Sequence, residues 1–364
     1  MLRRLQPCRA PTAAGFSRAL TLVCFAVCAV SVLRAQSDQR QARIDEALRR
    51  EGEALVRIAD DASNGRVVPR DFPLEWQNDF FKAQPGTFVP FTLTFDGTQL
   101  TAGRALLYVR AEREGGATDV ARRRASYAYE TIFPVAIESA DRKAVVRRGF
   151  AVPPGRYRVI VALRESASPG KEEDDATRRT AVLTRELHVP DFWTGELATS
   201  TVMLADRLEP LSQPVPLNEL DENPYVVGTQ RIHPSVSRVF GRNRELIVVF
   251  LIYNPSVGPN RHFDVQVDYH LYSQDRGVVS PPAGQGDHPP ARTGERYVTR
   301  TNPQRFNPSL MGNRFDPVGA PVLAGQGILL SSFEPGEYRL GITVTDLLSR
   351  KLLTRDVTFT VIGS

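Results

Sequence analysis

Two histidines and two aspartates fall within nine residues at His262–His270 (HFDVQVDYH). Read as a β-strand, Phe263, Val265, Val267 and Tyr269 point one way, and His262, Asp264, Gln266, Asp268 and His270 the other. Ligands at i and i+2 on a strand can reach one divalent ion, so His262 with Asp264, or Asp268 with His270, would make half a metal site. The plainer reading is the solvated face of a half-buried antiparallel strand. A second set of candidates is aromatic. Phe72, Trp76, Phe80 and Phe81 form one cluster, and Phe192 and Trp193 another. Exposed, Trp76 and Trp193 would stack on a sugar or receive a partner; buried, they would seal junctions between folded bodies. The acidic run Glu172-Glu173-Asp174-Asp175 lacks the spaced ligands and turn glycine of a calcium loop and reads as a hydrated hairpin tip. No Gly-x-Ser-x-Gly elbow, phosphate-cradling Gly-x-x-x-x-Gly-Lys-Ser/Thr loop or His-Glu-x-x-His pair occurs. The expectation is therefore a chain without catalytic residues or a cofactor.

The elements that must position these residues are strands. Short runs rich in β-branched and aromatic residues recur at 88–95, 105–109, 132–137, 157–163, 182–189, 246–253, 263–272, 338–345 and 356–361, separated by Gly, Pro, Asn or Asp. No long helical segment alternates with them, which argues for antiparallel sandwiches rather than a parallel α/β sheet. Ahead of them, residues 39–62 carry Ile44, Leu48, Leu55, Ile58 and Ala62 at helical spacing, with Asn64-Gly65 as a stop signal.

An internal repeat organises the rest. Pro154-Gly155-Arg156-Tyr157-Arg158 matches Pro335-Gly336-Glu337-Tyr338-Arg339, and Tyr157, Val159, Val161 and Leu163 match Tyr338, Leu340, Ile342 and Val344. Further on, Leu183-Thr184-Arg185-Glu186 matches Leu353-Thr354-Arg355-Asp356, with Leu187 and Val189 against Val357 and Phe359. Both matches keep their apolar residues on one sheet face. A Pro-Gly-x-Tyr turn, an alternating strand, a hairpin and a last strand resemble the closing half of immunoglobulin-like or fibronectin type III-like domains. That resemblance implies a buried ring for Tyr157 and Tyr338, with each hydroxyl on a backbone partner. The segments 71–81, 88–95, 200–208 and 329–361 resemble uncharacterised exported bacterial β-domain proteins related to von Willebrand factor A-related or GWxTD-containing proteins. Neither Asp-x-Ser-x-Ser nor Gly-Trp-x-Thr-Asp occurs here, so this second resemblance implies shared β-domains alone.

The expected fold is mainly β: two tandem antiparallel β-sandwich (immunoglobulin-like) domains preceded by an N-terminal amphipathic helix. The expected divisions are a signal peptide at 1–35, a helix at 36–65 and a first sandwich at 66–190. A linker or first strand at 191–224 leads to a second sandwich at 225–364, with long loop insertions at 277–296 and 301–327.

Arg-bearing residues precede the apolar run ALTLVCFAVCAVSVL at 19–33, and Ala35 offers a small residue before a polar stretch, as in a secretory leader. Cys8, Cys24 and Cys28, the only cysteines, all lie within it, so the remainder forms no disulfide. The chain is 364 residues long with a formal charge of +5, but Arg3, Arg4, Arg9, Arg18 and Arg34 sit in the leader, and beyond it 41 acidic residues balance the basic ones. Nucleic-acid binding needs a net basic face and is not expected. Three functions follow in order. The first is an exported, periplasmic or extracellular scaffold or protein-interaction module with an envelope or extracellular protein as partner. The second is a binder of glycan or another envelope polymer through Trp76 or Trp193, and the third a metal-assisted hydrolase at His262–His270. No transmembrane span is expected in the mature chain.

Overall fold

A computed structural model describes residues 49–363 apart from 85, 101–102, 116–126, 138–141, 167–177, 275–288 and 313–314. The leader, Ile44 and Leu48 of the first helix, the acidic run at 172–175 and most of the loop at 277–296 lie outside the described residues. The chain divides into two compact units, Met1–Ile58 and Ala59–Ser364. Residues 49–63 are helical (α1); of the apolar residues that the spacing picks out, Leu55 is buried and Ile58 and Ala62 are half-buried, while Ala54 and Ala59 are also buried and Glu53 and Arg57 are exposed.

The second unit contains two β-sandwiches. The first is built from β1 (Glu75–Asn78), β2 (Phe81–Ala83), β3 (Gly86–Phe95), β4 (Arg104–Arg113), β5 (Tyr129–Ala136), β6 (Ala144–Val152), β7 (Gly155–Glu165) and β8 (Thr180–Val189). One of its sheets sets β1 and β2 along one side of β3 and β6 along the other; the facing sheet runs β5-β4-β7-β8. Alternate residues fill the space between them: Val89, Phe91 and Leu93 from β3, Leu107 and Val109 from β4, and Tyr157, Val159, Val161 and Leu163 from β7.

The second sandwich is built from β9 (Ala198–Thr199), β10 (Met203–Pro210), β11 (Val226–Val227), β12 (Gln230–Pro234), β13 (Val239–Gly241), β14 (Glu245–Tyr253), β15 (Val265–Gln274), β16 (Glu295–Arg300), β17 (Gln304–Phe306), β18 (Val322–Leu329), β19 (Gly336–Asp346) and β20 (Leu352–Ile362). Its sheets run β11-β12-β10-β14-β18, with β9 also on β14, and β13-β20-β19-β15-β16, with β17 also on β15. Segment 191–224 thus supplies β9 and β10 to the second sandwich. Among the described residues the pairing is antiparallel except for β13, which lies parallel to β20.

The two tyrosines occupy equivalent places in separate cores. Tyr157 and Tyr338 are both buried, and each hydroxyl donates at 2.7 Å to a carbonyl four residues earlier, on Pro153 and Glu334. The hairpins that follow differ in register. Tyr157 faces Leu187, whereas Tyr338 faces Phe359 rather than Val357, which the sequence match aligns with Leu187. The second hairpin is therefore slid by two residues relative to the match. An even slide leaves every side chain on its own face, so both cores survive it.

The sandwiches are joined by a third apolar cluster. Phe81 and Phe192 meet Met203, Ala205, Tyr225, Ile232, Val249, Leu251 and Tyr253. The two faces of β14 explain why its sequence is continuously apolar from Leu246 to Tyr253 (LIVVFLIY). Leu246, Val248, Phe250 and Ile252 face their own core, while Val249, Leu251 and Tyr253 face this seam. On the other side a proline opens the way. Pro90 in β3 accepts the Asp79 N–H at 2.9 Å but has no N–H to return, and the edge strand breaks there into β1 and β2. At the break the Phe80 N–H donates instead to Thr201 Oγ1 of the second sandwich, at 2.9 Å.

Candidate functional site

The segment leaving β8 builds the site. Pro190 accepts a hydrogen bond from Thr87 Oγ1, and Asp191 Oδ1 accepts the Trp193 N–H at 2.8 Å, which sets the turn. The next two side chains then part: Phe192 enters the seam, its ring 5.1 Å from that of Tyr253, while Trp193 is left 46% exposed. The indole is nevertheless fixed. Its Nε1–H is shared between the carbonyls of Ala83 (3.1 Å) and Gly86 (2.9 Å) in the β2–β3 hairpin. Gly86 has φ +111°, and a Cβ there would lie 2.6 Å from the Val152 carbonyl oxygen, so the turn requires glycine.

Lys82 lies beside the indole. Its Nζ sits 4.4 Å from the Trp193 ring centroid and donates to Asn254 Oδ1 at 2.7 Å, while its backbone N–H donates to the Tyr253 hydroxyl at 3.1 Å. Asn254 takes the left-handed backbone conformation (φ 54°) that asparagine tolerates, and its amide donates to the carbonyls of Phe192 and Glu196. Desolvation holds the Lys82 ammonium below its ordinary pKa. Among the described residues no carboxylate pairs with it. A cavity of about 340 Å³ opens here, lined by Lys82, Gln84, Trp193, Asn254 and the turn Pro317–Pro321. Among the described residues its walls carry one positive charge and no negative one.

Trp76 behaves differently. It is half-buried, stacks on Phe91 with centroids 4.1 Å apart, and bonds its Nε1–H to Asn78. It packs against the edge of the first core.

The strand reading of 263–272 matches β15, whose Val265, Val267, Tyr269 and Leu271 enter the second core. On the outer side, His262 is exposed in the loop before it. Asp264 accepts two hydrogen bonds from Arg305, which hold its carboxyl below the usual range. Asp268 accepts from Gln266, and His270 is buried beside Tyr297. Among the described residues no three His, Cys, Asp or Glu side chains are grouped to hold a metal ion.

Two buried arginines on outer sheet faces go undetected by motif reading. Arg110 of β4 is fully buried and donates to the Tyr108 hydroxyl (2.6 Å), Asp60 (2.9 Å) and Glu112 (3.3 Å), tying the last turn of α1 to the sheet. Arg339 of β19 clasps Glu295 through Nε (2.7 Å) and Nη2 (2.6 Å), donates to Asp356, and lies 4.1 Å from the Tyr272 ring centroid. Burial pulls its pKa down; the hydrogen bonds it donates to Glu295 and Asp356, and their charges, outweigh that and raise it. Both clusters are internally compensated and structural. The pair His233–Glu209 (2.7 Å) sits on the surface of β10 and β12 beside Arg231 and Arg207, a surface ion cluster.

No helix among the described residues is long and apolar enough to cross a membrane. No family model and no curated protein matches the chain. Among solved structures it is similar to a red sea bream transglutaminase, at 13% identity and a TM-score of 0.20, over 84% of this chain and 33% of that one. It is also similar to the α2-macroglobulins of Salmonella (12%, TM-score 0.20, 81% of this chain and 15% of that one) and E. coli (11%, TM-score 0.21, 79% and 14%). The chain spans about a third of the first and about a seventh of the others, and likeness at this level assigns no activity to it.

Proposed function

We propose that the chain is an exported, non-enzymatic β-sandwich scaffold of the cell envelope, a protein-interaction module acting in the periplasm or outside the cell. The observation that carries this reading is the apolar seam. Tethered domains move independently unless their interface is large and hydrophobic. Here the seam is a third core, crossed by the Phe80–Thr201 and Lys82–Tyr253 hydrogen bonds, so the loops of the two sandwiches are presented at a set spacing. The leader and the cysteine-free remainder support export. The balanced charge beyond the leader favours a protein or glycan partner over nucleic acid. The test places a photoreactive phenylalanine analogue at exposed Leu217 or Leu310 in host cells and fractionates them. A discrete adduct with one envelope protein, reproduced when the probe is moved to that partner, is the expected result. A chain retained in the cytosol, or the absence of adducts at all exposed loop positions, overturns the reading.

Trp193 favours a second reading, a binder of glycan. A half-exposed indole whose N–H is already satisfied by two carbonyls is an apolar surface set in place before any ligand arrives. Titration with neutral and acidic oligosaccharides while following tryptophan emission tests it; an unchanged spectrum with both, and no heat of binding, removes it.

A further inference from the structure

We infer that the groove beside Trp193 takes a sugar that carries a carboxylate, with the carboxylate on Lys82 Nζ and a C–H face of the ring on the indole. The inference rests on the glycan reading above and adds the charge of the ligand. Three observations point to it. First, among the described residues the groove wall holds one ammonium and no acid, and both neighbours of that ammonium, Asn254 Oδ1 and the Trp193 ring, are uncharged. Lys351, by contrast, is paired with Glu196. A single point charge in a partly desolvated setting matches one monovalent anion better than a divalent phosphate. Desolvation already disfavours the bare ammonium, and an entering anion would restore it.

Second, the turn Pro317–Pro321 has no backbone donor to spare for a ligand. The N–H groups of Val318, Gly319 and Ala320 are already bonded to Asp316, and Pro317 and Pro321 have none. The donors that face an anionic ligand are therefore side chains, the Lys82 ammonium and the exposed Gln84 amide, beside the indole face. Those groups suit a ring with an apolar face and a polar rim. Third, about 340 Å³ lies at the lower end of small-molecule sites, a size for one or two sugar rings rather than a folded partner.

The experiment uses the purified full chain and two probes, trigalacturonic acid and its fully methyl-esterified form, which differ in charge and share the sugar skeleton. Calorimetric titration should show the acid binding about tenfold more tightly than the ester, with a preference that shrinks as salt rises. Lys82→Met should abolish that preference and Lys82→Arg should keep it, with circular dichroism verifying that both variants fold. Trp193→Phe should remove the emission change and weaken both probes. Equal binding of acid and ester by the unaltered chain overturns the inference and leaves the glycan reading standing. Binding of neither probe defeats both. A preference for the acid that persists in Lys82→Met places the charge recognition elsewhere and also overturns it.

Discussion

Asp79 and Glu295 show how single carboxyls set the acid behaviour of this fold. Asp79 is half-buried as a residue, but its carboxyl faces buried Tyr225, and desolvation raises its pKa from 3.8 to about 6 against the opposing pulls of Tyr225 and Arg238. A carboxyl that holds its proton more tightly when folded stabilises the fold at low pH. That contribution is lost as pH rises from about 4 through about 6. Glu295 has the opposite sign. The Arg339 clasp holds it below its ordinary 4.5, so its contribution is complete above that value and disappears as pH falls through the folded pKa. Thermal melts across pH should therefore peak at about pH 4, where the Glu295 contribution is still rising and that of Asp79 has only begun to fall. Asp79→Asn should flatten the alkaline side of the peak, worth up to about 3 kcal/mol, and Glu295→Gln should destabilise the protein most above pH 5. A melt profile of Asp79→Asn parallel to that of the unaltered protein would contradict the assignment. At Gly86, alanine meets both a positive φ and the Val152 carbonyl oxygen, so Gly86→Ala should cost more than about 1 kcal/mol in denaturant titration.

Among the elements, the paired hairpins β7–β8 and β19–β20 make the sharpest comparison. If Tyr157 and Tyr338 do the same work in two separate cores, Tyr157→Phe and Tyr338→Phe should each cost about 1 kcal/mol in denaturant titration, and the double variant should cost their sum. A large departure from additivity would mean the cores are not independent. The repeat, the strand periodicity at 263–272 and the buried tyrosines were all legible in the sequence, because alternation within one strand is a local property. Other elements were not. β6 carries Arg147-Arg148-Gly149 at its centre and β18 reads Ala324-Gly325-Gln326-Gly327, which interrupt the β-branched and aromatic residues at their ends; they pair where β3 and β14 offer them an edge. The two-residue slide of the second hairpin was hidden for a related reason. A matched motif fixes the face of a strand, whereas its partner's position depends on pairing. The groove was the least legible part, since Trp193 meets the Ala83 carbonyl 110 residues away. The one usable sign of the seam was β14, apolar on both faces where a half-solvated strand would alternate.

At the scale of the molecule, the seam should make the two sandwiches unfold together. Calorimetry of the purified chain should show one cooperative transition for both. Phe192→Ala, which empties the seam at its first-sandwich side, should cost about 3–5 kcal/mol and separate the transition into two. A single unchanged transition in that variant would show that the seam does not couple them. Phe192 and Trp193 are consecutive, one plugged into the joint and the other standing at its mouth. The backbone between them works as a short lever: a ligand that clamps the indole also resists withdrawal of the phenyl ring, and loosening of the joint disturbs the indole. Tryptophan emission is thus a native gauge of how firmly the halves are held, readable without any added label.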